Sequence, residues 1–310
     1  LELIKTIKER SYEGSLLSII DGTYTPMGAR MLRSWLLFPL RDALKINMRL
    51  DCVNEFFENV IIRQELSSCL KVISDIERLT GKIACLSANA RDLSSLKESI
   101  SYLPKIKNII NGCSSLMLKN LVNLKDLTPL FDLISNAICD DPPFSIREGG
   151  LIKQGFSPEL DDLRETSKKS KEWISNLEAQ EKIRTGIKSL KVGFTKVFGY
   201  FIEVSTTNLK YVPQEYIRKQ TLVNCERYIT PELKEKESFV LNADDRIVEM
   251  EYDIFCEVRN QISKFTLDLQ NAALCIGEID SLLALAQTAV SNNYARPKVS
   301  SFDDNRLIIK

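Results

Sequence analysis

The chain is 310 residues long, with 44% apolar and 27% charged residues, the composition of an ordinary globular protein with enough material for more than one unit. Its 42 basic side chains are balanced by 42 acidic ones, so no global field marks a nucleic-acid or membrane binder, and any polyanion site must be a local patch. The sequence has no histidine, which excludes Ser-His-Asp and Cys-His relays and removes the commonest metal ligand.

The eight cysteines stand at least 16 residues apart, so no C-x-x-C pair is present for zinc or redox work. They read as reduced, buried thiols of a cytosolic protein. No run of about 18 apolar residues suggests a membrane span, and no signal peptide opens the chain. A start at Leu1 and a stop in the strand-like Leu307-Ile308-Ile309-Lys310 are what a fragment of a longer protein would show.

Residues 1–140 read as successive helices. Thr25 is a natural N-cap with Pro26 at the first helical position, and the helix that follows puts Met31, Leu32, Trp35 and Leu36 on one side until Phe38-Pro39 ends it. Further helices are expected over Ile46–Phe57, Leu66–Leu86, Leu93–Tyr102 and Leu116–Ile138. Asp140-Asp141-Pro142-Pro143 and Gly149-Gly150 then mark a connection. Residues 159–184 are helical again but highly charged, with only Leu160, Leu163, Trp173 and Leu177 as an apolar line, so this helix should be solvated on most sides.

At Ser189 the apolar period changes to two. Leu190, Val192 and Phe194 alternate with polar residues, Tyr200–Val204 is rich in strand formers, and Tyr216–Leu222 is followed by Cys225–Ile229; two antiparallel hairpins result. From Pro231 an apolar seam runs through 240, 243, 247, 250, 254, 258, 262, 265, 269, 272, 276, 279, 283, 286 and 290. Its steps are threes and fours with one stutter at Ile254-Val258-Ile262, which predicts a single helix of about 59 residues, roughly 88 Å long. The expected architecture is mainly α: a helical core sends out the charged helix, a small β module sits at its end, and the long helix returns antiparallel to the first.

The β module, 186–230, holds seven basic residues (Lys188, Lys191, Lys196, Lys210, Arg218, Lys219, Arg227) against three acids (Glu203, Glu215, Glu226), 7 − 3 = +4 in a neutral chain. That excess suits phosphate contact, though it equally suits a solubilising surface. A patch of this kind would neutralise about 3–5 phosphates, for a log–log salt slope of roughly −3 to −4.5, without reading sequence. Thr80-Gly81-Lys82-Ile83 lacks the upstream glycine and final hydroxyl of a phosphate loop. The acid pairs 140–141, 161–162, 244–245 and 303–304 read as hydrated surface rather than metal ligands, and Met27, Met31 and Trp35 as core.

Several strings resemble the MutS mismatch-repair family. They are Thr25-Pro26-Met27-Gly28-Ala29-Arg30-Met31-Leu32 with Trp35 and Pro39-Leu40-Arg41-Asp42, Arg49-Leu50-Asp51-Cys52-Val53, and Asp75-Ile76-Glu77-Arg78. Leu190–Phe194, Gly199–Val204, Tyr216–Asn224 and Glu226–Glu235 continue the resemblance over nearly the whole chain. It implies a helical core over 1–157, an outgoing lever helix 158–185, a β clamp 186–230, a returning lever helix 231–293 and the start of an ATPase domain at 294–310. It also implies a bacterial-type protein of the cytoplasm and nucleoid that dimerises around mismatched double-stranded DNA and works with a MutL-type ATPase.

The resemblance points to Thr195, Lys196, Arg218, Lys219 and Asn224 as backbone-contacting residues. Asn224 has a second reading as a turn residue, since Asn tolerates left-handed angles, and Val223 stands where the family commonly has Lys. Mismatch reading and ATP hydrolysis are expected outside these residues, because Phe56-Phe57-Glu58 and Phe201-Ile202-Glu203 lie in a core helix and a clamp strand and no Walker loop is present; ATP and Mg would belong to the absent domain and no cofactor to this chain. The long helices would transmit nucleotide state to the clamp, with the stutter near Val258 as the place where packing changes. Two other readings stay open: a coiled-coil scaffold that binds proteins through the β tip, and a relative that holds branched DNA.

Overall fold

The computed structural model describes residues 2–195 and 197–299; Lys196 and residues 300–310, with Asp303-Asp304 and most of the segment assigned to a following domain, lie outside the described residues. The helices are α1 (Leu16–Ile20), α2 (Pro26–Leu37), α3 (Ala43–Glu58), α4 (Val60–Leu70), α5 (Ile76–Ala84), α6 (Ala90–Asn111), α7 (Leu116–Leu121), α8 (Thr128–Ala137), α9 (Pro158–Thr185), α10 (Pro231–Ser263) and α11 (Thr266–Ser291). The strands are β1 (Lys191–Thr195), β2 (Gly199–Ser205), β3 (Ile217–Thr221) and β4 (Cys225–Ile229), with a 3-10 helix at Thr206–Tyr211. The chain is mainly α with one small antiparallel sheet. It divides into two compact units, one running to Phe144 and resuming at Cys256, the other Ser145–Phe255.

In the first unit α11 is the central element, packed by α1, α2, α3, α4 and α5. It is buried nearly all round, from Leu269 to Ala286. One 18-residue window of α11 reaches a mean hydropathy of 1.4, long and apolar enough to cross a membrane, where none was expected; 67% of that window is buried against protein, as in the core helix of a globular unit.

The Thr-Pro-Met-Gly string explains itself here. Thr25 Oγ1 accepts the Gly28 N–H at 3.0 Å and closes the start of α2. The Thr25 hydroxyl and N–H each donate to Asp280 of α11 at 2.7 Å, joined by the Tyr24 N–H at 3.0 Å. Gly28 faces the same carboxylate, and a Cβ built there would lie 2.1 Å from Asp280 Oδ2. Burial raises the Asp280 pKa, with the donors acting in the opposite direction.

Three expected helices differ in extent. The stretch 66–86 is split by residues 71–75, where Asp75 caps α5 by accepting the Arg78 N–H and also takes Arg30 at 2.8 Å. The stretch 116–138 is split at 122–127, where Asp126 accepts from Thr128 ahead of Pro129. Conversely α6 continues through Pro104 to Asn111, because Ile106 and Ile110 on its far side are buried in the core and their packing outweighs one lost hydrogen bond.

Four cysteines, Cys52, Cys69, Cys113 and Cys275, are buried as expected, whereas Cys85 at the end of α5 is exposed. Burial pushes the thiols of Cys113 and Cys275 up to about 12. Desolvation dominates at both, with Glu55 adding to it for Cys113 and Glu278 for Cys275. Brief alkylation of the folded chain is therefore expected to label Cys85 first and to spare those four until the chain unfolds. Peptide mass spectrometry checks this, and modification of Cys275 at the rate of Cys85 would contradict the packing.

In the second unit α9 and α10 run antiparallel, bridged by Arg164–Glu251 at 2.7 Å and Lys171–Asp244 at 2.7 Å. The inner line of α9 is Leu160, Leu163, Ser167, Ser170, Ile174 and Leu177, with the two serines buried and Trp173 only half-buried. It is a heptad seam in which hydroxyls take two inner places, and Ser167 Oγ donates to Asp244 at 3.1 Å.

On α10 the seam also departs from expectation. Glu251 and Phe255 are buried, while Met250 and Ile254 are half-buried. The stutter thus falls at 247-251-255, one heptad before the place expected. The single helix expected over 231–293 is two helices, parted at Lys264-Phe265. There the Phe265 N–H bonds back three residues to the Ile262 carbonyl at 2.9 Å, and the Thr266 hydroxyl donates to the Ser263 carbonyl at 2.6 Å. This is a tightened turn made without proline or glycine.

The four strands form one sheet in the order β1-β2-β4-β3, two hairpins joined through β2 and β4. Its inner face, with Ile202, Val204 and Tyr228, shares a core with Ile174 and Leu177 of α9 and Leu233 and Val240 of α10.

Candidate nucleic-acid interface

The sheet is fastened to the two helices by carboxylates. Glu178 of α9 accepts the Val192 N–H at 3.1 Å, and Glu237 of α10 accepts the Tyr200 N–H at 2.7 Å. Gly199 has φ +74, and a Cβ there would meet Glu237 Oε1 at 1.7 Å, so this position needs glycine both for its backbone angle and for the close approach of the acid. Tyr216 donates to Glu181 at 2.6 Å. Burial, followed by that bond, raises the Tyr216 pKa.

The acids of the module are all engaged by arginines. Glu203 holds Arg227 at 3.0 Å, the buried Glu226 holds Arg218 at 3.4 Å, and Glu215 holds Arg184 of α9 at 2.5 Å. Tyr228 also donates to Glu226 at 2.5 Å, and burial with this carboxylate pushes its pKa up to about 12. Arg227 further stacks on the Phe201 ring, 4.2 Å from its centre. The positive excess therefore rests on lysines. Among the described residues Lys188, Lys191, Lys210 and Lys219 are exposed and make no ion pair.

The expected contact residues do not form one cluster. Thr195 closes the first hairpin, where its Oγ1 accepts the Phe198 N–H at 3.2 Å. Around it Phe194, Val197 and Phe198 are exposed, so the described side chains here present apolar surface. Asn224 lies in the turn between β3 and β4. Because Ser205 pairs with Cys225 and Ile202 with Tyr228, that turn stands at the opposite end of β2, six residues or about 20 Å from Gly199.

Asn224 does not have a positive φ, so the left-handed turn role suggested for it is not used. Its carbonyl accepts the Thr206 N–H at 3.1 Å, and among the described residues its exposed side chain makes no hydrogen bond. Lys219 is the extra residue of a bulge between Arg218 and Gln220 on the edge strand β3, which turns an exposed side chain away from the regular ladder. Arg218 is partly committed to Glu226, and Lys196 lies outside the described residues.

Glu237, Glu226 and Glu251 were not anticipated as organising residues. The signal available for Glu237 and Glu251 is a carboxylate standing in an apolar register. Thr80-Gly81-Lys82 lies inside α5, with Lys82 on Asp92 at 2.8 Å, so it is helix rather than phosphate loop. Among the described residues no group of three or more Cys, Asp or Glu side chains is placed to hold a metal ion.

Residues 1–286 match the family described as MutS domain III. The chain is similar to the protein named DNA mismatch repair protein MutS of Acetivibrio thermocellus, 49% identical over all of this chain and 36% of the relative. It is 47% identical to the protein of that name from Clostridium kluyveri, over 98% of this chain and 35% of the relative. For Methanosarcina mazei the identity is 45%, over all of this chain and 35% of the relative. The chain belongs to the MutS family, and it spans about a third of the length of the curated relatives it matches.

Proposed function

We propose that this chain is the part of a mismatch-repair protein that grips duplex DNA by its backbone. The sheet acts as a clamp, and α9 and α10 act as the levers that carry it. One observation carries the reading: the three acids of the module are neutralised by arginines, which leaves exposed lysines on a small sheet in a chain without net charge. Such a surface binds phosphates and leaves bases unread. Mismatch reading, ATP with its Mg, dimerisation and contact with a MutL-type partner belong, in this reading, to the longer protein.

Duplex binding across a salt series tests it. Affinity is expected to fall with a log–log slope of roughly −3 to −4.5, equally for matched and mismatched duplexes. Lys219→Ala should reduce the slope by about one. Duplex affinity that ignores salt would remove the backbone-grip reading and favour a scaffold whose tip binds protein.

A further inference from the structure

Inside the first unit a cavity of about 420 Å³ lies between α6, the connection that follows α7 and the central helix α11. Its origin is the break at 122–127, where one continuous helix was expected and α7 and α8 form instead. The floor is apolar: Ile106, Val122, Leu127 and Ile276 line it and are all buried. Half-buried Phe131 of α8 adds a ring to one wall. An apolar recess of this size with a few polar groups at its edge is the form that small-molecule sites take.

The polar edge has a sign. Its charged groups are Lys107, Lys125 and Asp126. Asp126 Oδ1 already accepts the N–H and the hydroxyl of Thr128, at 2.9 and 2.7 Å, and Lys125 holds Asp268 at 2.8 Å. Lys107 is exposed and, among the described residues, makes no ion pair. A lysine so placed lays its stem along an apolar wall and keeps its ammonium group at the mouth.

We propose that this cavity binds a small aromatic anion, with the flat body against Ile106, Val122 and Phe131 and the acidic group on Lys107. The site belongs to the first unit alone and stands whether or not the sheet grips DNA. Since Ile276 lies on α11, the helix around which the unit is built, an occupant braces the 122–127 connection against that centre.

Two fluorescent probes with nearly the same ring system test it on the whole chain: anilinonaphthalene sulfonate, which carries an acidic group, and phenylnaphthylamine, which carries none. The sulfonate is expected to bind at about one equivalent per chain, since such sites are few in any protein. Lys107→Gln should weaken the sulfonate by roughly two- to fivefold, the worth of one exposed ion pair, and leave the neutral probe unchanged. Leu103→Trp places a larger side chain on the α6 wall and should weaken both probes about tenfold or more, with circular dichroism confirming the fold. Hydrogen exchange of the parent with saturating sulfonate should slow amides at 122–131, a footprint that holds even if Leu103→Trp fails to fold. Equal loss of both probes in Lys107→Gln, or no loss of either, overturns the choice of an anion. Protection confined to other segments, such as the exposed Phe194 and Phe198 of the first hairpin, or no binding at all, overturns the site.

Discussion

Gly28→Ala is expected to destabilise the first unit by roughly 2–6 kcal/mol, about 1–3 for overpacking and a similar amount for a carboxylate pushed off its buried donors. The added methyl would stand 2.1 Å from Asp280 Oδ2 and 2.6 Å from its Cγ. The carboxylate has nowhere to retreat: the hydroxyl and N–H of Thr25 and the N–H of Tyr24 converge on it. On the same side Gly277 is close to the Met27 carbonyl, where a Cβ would come within 3.2 Å. α2 and α11 thus approach through two glycines, with one acid between them. Asp280→Asn should cost about 1–3 kcal/mol, since an amide presents two donors to a site made of donors and leaves at least one unmatched. Urea unfolding followed by circular dichroism reads both changes. A Gly28→Ala chain within about 1 kcal/mol of the parent, the lower edge of the overpacking range, would mean that α2 is free to slide on α11.

The second large effect is expected in the other unit. Glu251 is almost fully buried in the α10 seam, and its carboxylate accepts the Leu151 N–H at 2.6 Å and Arg164 at 2.7 Å. Arg164 also donates to the Ile152 carbonyl at 2.8 Å, so the pair pins the segment before α9 to both helices. Removing one partner of a buried pair costs about 3–5 kcal/mol, because the remaining charge stays in a dry site. Arg164→Ala should therefore lose that much. The double variant Arg164→Ala, Glu251→Met should recover most of it, short of about 1–3 kcal/mol for the orphaned Leu151 N–H. Hydrogen exchange of the segment 145–160 locates the effect; exchange and unfolding both unchanged in Arg164→Ala would show the pair to be a surface contact.

These residues also show where sequence reading stops. The cap at Thr25-Pro26 and the four strands are local chemistry, and they fall within about two residues of where period and turn residues put them. Hydropathy fails where a polar side chain takes an inner place with a partner supplied from elsewhere: Ser167 opposite Asp244, Glu251 opposite Arg164, Glu237 beneath Tyr200. Nothing in Ser263-Lys264-Phe265-Thr266 announces a helix break, because a hydroxyl bonding its own backbone is equally at home in a continuous helix. The candidate interface was legible as a list of residues and a charge excess. Its division between two ends was not, since that follows from the pairing of β2 with β4, strands lying far apart in the chain.

β1 and β3 are the outer strands of an open sheet, and unpaired strand edges invite another copy to add itself. Each outer strand is only five residues long and carries lysine, Lys191 on one and Lys219 at an irregularity on the other, the means by which natural sheets keep their edges from templating aggregation. Exposed Ile217 sits beside that irregularity. Replacing Lys219 with an apolar strand former would remove the guard from an edge already part apolar, and self-association of the chain should rise with concentration. The lysine proposed for phosphate contact then has a second part, keeping copies of the chain apart.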